Sequence, residues 1–311
     1  MAAATKARVR ATAAELGYRP DPMLGALARW REAQRAGRRD HHGSAIAWVY
    51  NHGQEADMGR FAAYGECLRG GRARAEALGY GVTEFWLGPG GLTEARFAEV
   101  LQARGIRGVV LAPQARPGGA LHLPWEHLSA VAIGYTLAEP ALHVVSNNHF
   151  QTMTHLLETL LARGRKRIGV YLWEEDNRRV LGRAASSFQA WRKARRIPLF
   201  GYEVPCKAVF LNWVHRNRLD TVVTRAQETG DWLRGAGLGD LERASYALDE
   251  NETGPGMDHN NAAIGAAAVD WVTRLVERGD QGVPELPCRM LITGVWRDAR
   301  TTRPAICPRA E

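Results

Sequence analysis

The sequence predicts an α/β fold: two lobes of doubly wound parallel sheets, behind a short helical segment. Three observations carry that expectation. From Ser44 onward, short apolar runs alternate with longer helical patterns, and such alternation implies parallel strands joined by right-handed crossovers. The alternation completes one α/β half near Val145 and begins again near Phe150, giving two halves of similar size. Residues 1–42 have a different texture. They hold nine Lys or Arg and four acids, which is five of the net +8 charges of the 311-residue chain.

The basic segment comes first. Val9, Ala13 and Leu16 recur at helical spacing, so Thr5 to Leu16 is expected to be a short helix, stopped by Gly17. Tyr18-Arg19-Pro20-Asp21-Pro22 is biased to extended geometry before each proline. A second helix can start with Asp21 as N-cap and Pro22 at its first position, carrying Met23, Leu24 and Leu27. The charged run from Arg29 to Asp40, with Gly37 and Gly43, has the composition of a linker. A basic arm on a nearly balanced body suits a polyanion such as DNA, or it is a solvated tail; charge alone leaves both open.

In the first half, Ser44 to Tyr50 is a buried parallel strand by its unbroken apolar character. Arg60 to Leu78 is a helix closed by Gly79, and Tyr80 to Trp86 a strand. Thr93 to Arg104 is a helix with Thr93 at its N-cap. Gly105 to Ala112, Leu128 to Tyr135 and Leu142 to Val145 complete the strands. In the second half, Phe150 to Ala162 is a helix stopped by Gly164, Arg167 to Leu172 a strand, and Val180 to Arg195 a helix. Thr221 to Thr224 is a strand, Ala226 to Ala236 a helix, and Ala244 to Leu248 a strand. Asn261 to Arg278 is a long Ala-rich helix and Arg289 to Val295 a last strand. The expected division is 1–20 and 21–43 for the helical front, 44–145 with 258–281 for the first lobe, 146–257 with 284–303 for the second, and a loose tail over 304–311.

Composition narrows the function. Hydrophobic residues are 45% and charged residues 24%, ordinary for a globular chain. No apolar run approaches the roughly 20 residues of a membrane helix, and the N-terminus has no apolar signal core, so a cytoplasmic protein with no membrane partner is expected. Cys67, Cys206, Cys288 and Cys307 are far apart and form no C-x-x-C pair, which disfavours a disulfide framework or zinc site. His41-His42 has no third ligand nearby in sequence, so no metal is expected. The motifs G-x-S-x-G, G-x-x-x-x-G-K-[ST] and H-E-x-x-H are absent, as is a G-x-G-x-x-G after a strand. No catalytic residues and no cofactor are therefore expected. Glu174-Glu175-Asp176, followed by Asn177-Arg178-Arg179, has the composition of a charged loop.

Several segments, in order, resemble the lac repressor (LacI/GalR) family of transcription regulators. ATKARVRATAAELGYRPDP resembles a last head helix and the start of a hinge. GECLRGGRARAEALGY and ARGIRGVVLAP resemble the first lobe. VVSNNHFQTMTHLLETLLARGRKRIGVY resembles the crossing into the second, and DTVVT, ASYALDENE and NAAIGAAAVDWVTRLVERG the later core. The resemblance covers about residues 4–303 and points to a divergent branch, since EFWLGPGGLTEARF and HLPWEHLSAVAIGY stand apart. It implies a two-lobed, periplasmic-binding-protein-like (type I) core behind a partial helical head and hinge helix, and a dimeric, ligand-responsive regulator whose small-molecule effector is sugar-like. Family members carry two further helices before the one at Thr5, the second of which reads the major groove. Residues 1–20 are therefore expected to be a truncated helix-turn-helix head. Operator binding is expected where a full head is present, and effector binding without specific DNA binding where it is lost.

The resemblance also implies roles. Leu27, nine residues after Tyr18, would wedge into the minor groove, while Arg8, Arg10, Arg19 and Arg29 would contact phosphates. The effector cleft would lie at the C-terminal strand edges, with Asp249 accepting hydrogen bonds from a ligand hydroxyl or amine. Arg183 lies near the family's ligand-binding arginine but is one residue out of register from Phe188, so Arg178 or Arg179 are alternatives. Asn148 sits at the lobe crossing, Asn51 and His52 end the first strand, and His259 precedes the long helix; each could line the cleft. Trp173 is among the tryptophans that could offer a stacking surface.

Overall fold

A computed structural model describes residues 45–51, 62–114, 116–195, 200–202, 206–226, 228–248, 252 and 254–299 of the core, and residues 8, 12, 15 and 16 ahead of it. The chain divides into two compact units, Met1–His41 and His42–Glu311. In the first, Arg8, Thr12 and Glu15 are helical and exposed, and the amide of Leu16 donates to the carbonyl of Thr12 at 3.0 Å.

The second unit holds two six-stranded sheets. The first half runs β1 (Ala45–Tyr50), α1 (Ala62–Ala77), β2 (Gly81–Trp86), α2 (Glu94–Ala103), β3 (Gly108–Leu111), β4 (Ser129–Ile133) and β5 (His143–Asn147). The second runs α3 (His149–Ala162), β6 (Ile168–Tyr171), α4 (Glu174–Arg179), α5 (Arg183–Arg195), β7 (Phe200–Tyr202), α6 (Lys207–Asn217), β8 (Thr221–Thr224), α7 (Glu228–Gly235), β9 (Glu242–Leu248) and β10 (Gly256–Asp258). The chain then returns through α8 (Asn261–Arg278) and β11 (Arg289–Ile292) before ending the described part at β12 (Val295–Arg297). The sheet orders are β11-β5-β4-β3-β1-β2 and β12-β10-β9-β8-β6-β7, parallel throughout except for β12 against β10.

The apolar runs become strands because both faces of each sheet are covered. On β1, Ala47 and Val49 join Phe97 and Leu101 of α2 on one face, while Ile46, Trp48 and Tyr50 meet Ile264, Val269 and Val272 of α8 on the other. In the second sheet, Ile168 and Val170 pack on Met153 and Leu157 of α3 and Phe188 of α5, and Val222 packs opposite them on Phe210 and Val214 of α6. Helix ends follow the sequence signals. Gly79 and Gly164 take φ of +78° and +84°, left-handed values that cost glycine nothing. The Thr93 hydroxyl accepts from the Arg96 amide at 3.2 Å, capping α2. Helices α1 and α8 touch backbone to backbone: a β-carbon on Gly70 would lie 2.0 Å from the Ala262 carbonyl oxygen, and one on Gly265 would lie 1.8 Å from that of Cys67.

Four expectations are corrected. The single strand over Arg289 to Val295 is two strands in different sheets. β11 pairs with β5, and β12 pairs with β10, so residues 289–292 belong with the first half rather than in a second lobe over 284–303. The break falls at Gly294, whose amide donates to the Thr152 hydroxyl at 3.0 Å in a passage too tight for a β-carbon. Glu174–Arg179 is a helix, not a loop. Its acids occupy the first turn and its arginines the last, as the helix dipole favours. The helix expected from Val180 starts at Arg183, because Leu181 and Gly182 take left-handed φ of 53° and 70°. Strands β7 and β10 and helix α6 were not anticipated.

The chain crosses between the halves three times, at Asn148, at His259-Asn260 and at Thr293-Gly294. The buried Asn147 side chain ties all three. Its Nδ2 donates to the carbonyls of His259 at 3.3 Å and Ile292 at 3.1 Å, and its Oδ1 accepts from the Thr152 hydroxyl of α3 at 3.0 Å.

Candidate functional site

A cavity of about 140 Å³ lies between the two sheets. The second half supplies most of its wall from the C-terminal ends of its strands: Tyr171 ending β6 and Trp173 just after it, Arg225 just past β8, and Tyr246 to Leu248 closing β9. Asp176, Asn177 and Arg179 reach it from α4, and His149 and His259 from two of the crossings. The first half contributes Tyr64 near the start of α1 and Asn261 at the start of α8. Parallel strands leave open loops at this edge, so polar side chains from both sheets converge here.

At the cavity floor is an aromatic cluster. His149 Nδ1 is hydrogen-bonded to the Tyr246 hydroxyl at 3.0 Å, and His259 Nε2 donates to the Tyr246 carbonyl at 2.9 Å. The imidazole rings of His149 and His259 meet edge-on, with centroids 5.5 Å apart. Burial pushes His259 down to about 4, helped by the nearby Arg225 guanidinium. Burial likewise holds His149 well below its usual value, with the charge of Arg183 and Arg225 and the neighbouring His259 acting in the same sense. Both histidines are therefore neutral hydrogen-bonding groups at pH 7. Burial also raises the Tyr246 hydroxyl far above its ordinary range, so it stays protonated.

Above the floor are guanidinium groups. Arg179 donates across the cavity to the Tyr64 hydroxyl and, at 2.9 Å, to the Gln114 carbonyl beyond β3. Arg225 reaches Asp176 Oδ1 at 3.4 Å, with both side chains over a third exposed. Asn177 Oδ1 is buried and finds no hydrogen-bond donor among the described residues. Trp173 is 40% exposed at the mouth. Among the described residues, no group of three or more His, Cys, Asp or Glu is placed to hold a metal ion. Nor is any helix there long and apolar enough to cross a membrane.

The residues singled out from sequence are distributed unevenly. His259 lines the cavity. Arg183 stands at the same edge but outside the lining, its guanidinium 4.0 Å over the Tyr135 ring; Arg179, the alternative, is the arginine that enters. Asn148 is drawn away to cap α3, its Oδ1 accepting from the Gln151 amide at 3.2 Å, because the helix start needs that acceptor. Asn51 directly follows β1, half-buried and outside the lining. His52 and Asp249 lie outside the described residues, although Leu248, next to Asp249, lines the wall. Of the proposed DNA contacts only Arg8 is described; Arg10, Arg19, Leu27 and Arg29 lie outside the described residues. His149, Tyr64, Asp176, Asn177, Arg225 and Tyr246 were missed. Arg225 has the one available signal: a charged residue directly after the apolar run Thr221–Thr224, where a parallel strand meets its ligand edge.

This architecture has solved counterparts. The fold is the two-lobed, periplasmic-binding-protein-like type. The transcriptional regulator CelR in complex with cellobiose is 16% identical with a TM-score of 0.60, covering 96% of this chain and 91% of that one. The trehalose repressor from Escherichia coli is 15% identical with a TM-score of 0.58 over 82% of this chain and 100% of that one. The lac repressor dimer bound to operator and an anti-inducer is 12% identical with a TM-score of 0.59, over 88% and 98%. At such identities the likeness is one of fold. No family model matches the sequence, and no curated protein matches it.

Proposed function

We propose that the chain is a ligand-responsive, DNA-binding transcription regulator of the lac repressor type, acting as a homodimer without catalysing a reaction. The observation that carries this reading is the polar cavity at the facing C-terminal strand edges, bridged by Arg179 from one half to the other. A small molecule there touches both halves at once, so it favours whichever arrangement of them it fits best. The fold likeness to a cellobiose-bound regulator and to the trehalose and lac repressors supports a sugar-like effector. The basic front, carrying five of the net +8 charges, supports DNA as the partner. In this reading Asp249 and His259 bind the effector beside Arg179. Arg8, Arg10, Arg19 and Arg29 meet phosphates, and Leu27 enters the minor groove.

The test is selection of genomic fragments by the purified chain, followed by gel-shift titration at about 50 and about 200 mM salt. A regulator retains specific fragments, loses affinity steeply with salt, and shifts affinity when effector is added. Leu27→Ala then weakens specific binding by tenfold or more. Retention of ligand with no preferred fragment assigns the chain to effector binding alone.

A further inference from the structure

One segment of the cavity wall is clamped at its two ends and buries nothing between them. Leu172 and Val180 both pack against the core cluster of Met153, Phe188 and Trp191. Between them, α4 buries no side chain, and Trp173 just before it is 40% exposed. Yet residues 173–179 supply four of the side chains that line the cavity: Trp173, Asp176, Asn177 and Arg179. A helix of six residues does not persist on its own strength, so outside contacts hold it. One is the Asp176–Arg225 pair, at 3.4 Å and over a third exposed on both sides, a setting in which ion pairs contribute little. Another is Arg179, which donates to the Tyr64 hydroxyl and the Gln114 carbonyl of the first half. Behind the helix, Leu181 and Gly182 take left-handed φ of 53° and 70°, and the Leu181 side chain is 57% exposed. Leucine is strained in that region and gains little burial there to offset the strain.

We infer that residues 173–179 are a flap over this cavity, which lifts between Leu172 and the Leu181-Gly182 turn to admit a small molecule and closes behind it. The inference rests on the reading of this cavity as the effector site and adds the ligand's way in. Lids over ligands come from the least stable parts of a fold, where few buried contacts oppose opening. Lifting separates Asp176 from Arg225 and draws Arg179 off Tyr64 and Gln114; closing remakes those contacts. Capture of a ligand and fastening of the two halves are then one event, because the residue that shuts the flap is also a bridge between the halves.

Hydrogen exchange of the full chain, resolved by residue, tests this without ligand or DNA. In the closed flap the amides of Asn177, Leu181 and Gly182 donate to the carbonyls of Trp173, Arg178 and Asn177. They exchange about a hundredfold faster than the amides of β6 and α5 on either side. Asp176→Asn and Arg225→Gln, which remove one tie from opposite ends, each speed that exchange several-fold and leave β6 and α5 unchanged. Leu181→Asn slows it, since asparagine accepts left-handed φ more readily, a gain that loss of structure cannot produce. Acylation of His149 and His259 at the cavity floor by diethyl pyrocarbonate follows flap exchange in all three variants. Flap amides as protected as those of β6, or acylation that ignores the three substitutions, overturns the inference. Fragment selection settles the regulator reading separately. A flap that lifts in a chain retaining no specific DNA fragment keeps the inference and sinks the regulator. A fixed flap in a chain that retains specific fragments sinks the flap alone.

Discussion

Arg179 donates to the carbonyl of Gln114 at 2.9 Å, from a helix beside the second sheet to the loop after a strand of the first. The bond is made by a charged donor in a partly buried setting, and together with the bond to Tyr64 it holds the cavity between the two halves. Hydrogen bonds to charged groups contribute about 1.5–3 kcal/mol each.

Removing that bridge is expected to open the core. Arg179→Ala forfeits about 1.5–3 kcal/mol of closure, a roughly ten- to hundredfold shift toward open forms. Small-angle scattering of the ligand-free chain reads this as a larger radius of gyration. Arg179→Lys, which keeps the charge but not the forked donors, falls between. An unchanged radius in Arg179→Ala means the bond does not hold the halves.

The contact of α1 with α8 is expected to tolerate no added methyl group. Gly265→Ala places a β-carbon 1.8 Å from the Cys67 carbonyl oxygen, which only backbone movement relieves. Overpacking of this kind costs about 1–3 kcal/mol or more. The urea midpoint falls accordingly. Gly235→Ala, at a site where a β-carbon meets nothing within 4 Å, serves as the neutral comparison.

Stability is expected to fall as pH drops below 6.5. His259 binds its proton in the folded state only near pH 4, whereas an unfolded histidine does so near 6.5. Between those values the unfolded chain carries the extra proton, so unfolding is favoured as pH falls, with the loss complete near pH 4. At about 1.4 kcal/mol per tenfold change in proton affinity, the full effect is roughly 3 kcal/mol. His149, lowered in the same direction, adds to it. Denaturant midpoints at pH 7.5 and about 5 measure the slope, and His259→Gln, which keeps a donor for the Tyr246 carbonyl, flattens it. A slope that His259→Gln does not change argues against this origin.

Thr93→Ala is expected to cost about 1 kcal/mol, the usual value of a lost N-cap. The Arg96 amide loses its acceptor while the buried Phe97 and Leu101 stay in place. Thr93→Ser restores most of the loss in the same thermal melt, which separates capping from packing.

Much of this fold is legible because its strands are buried on both faces and so read as unbroken apolar runs: Ala45–Tyr50, Gly108–Leu111, Thr221–Thr224. The glycines that stop the helices and the Thr93 cap act through neighbours a few residues away, which a sequence displays directly. The split at Gly294 does not, because Arg289 to Val295 is continuous in sequence. Only β5 and β10, far away in the chain, decide that its two ends join different sheets. The site is less legible still. Its members come from eight or so separate segments, and Asp176 and Asn177 are hidden in a run of charges that looks solvated. Asn148 was legible as a crossing residue but not as a cap, since the helix it starts at His149 competes for the same side chain.

The amide of Asn147 joins the carbonyls of two crossings and a hydroxyl from the helix begun by the third. Three connections fastened at one buried group oppose sliding of one half past the other and make that point the centre of any turn between them. The molecule is then a lever. A ligand close to the fulcrum moves its own surroundings little, while displacement grows in proportion to distance, so the outer edges of both sheets travel furthest.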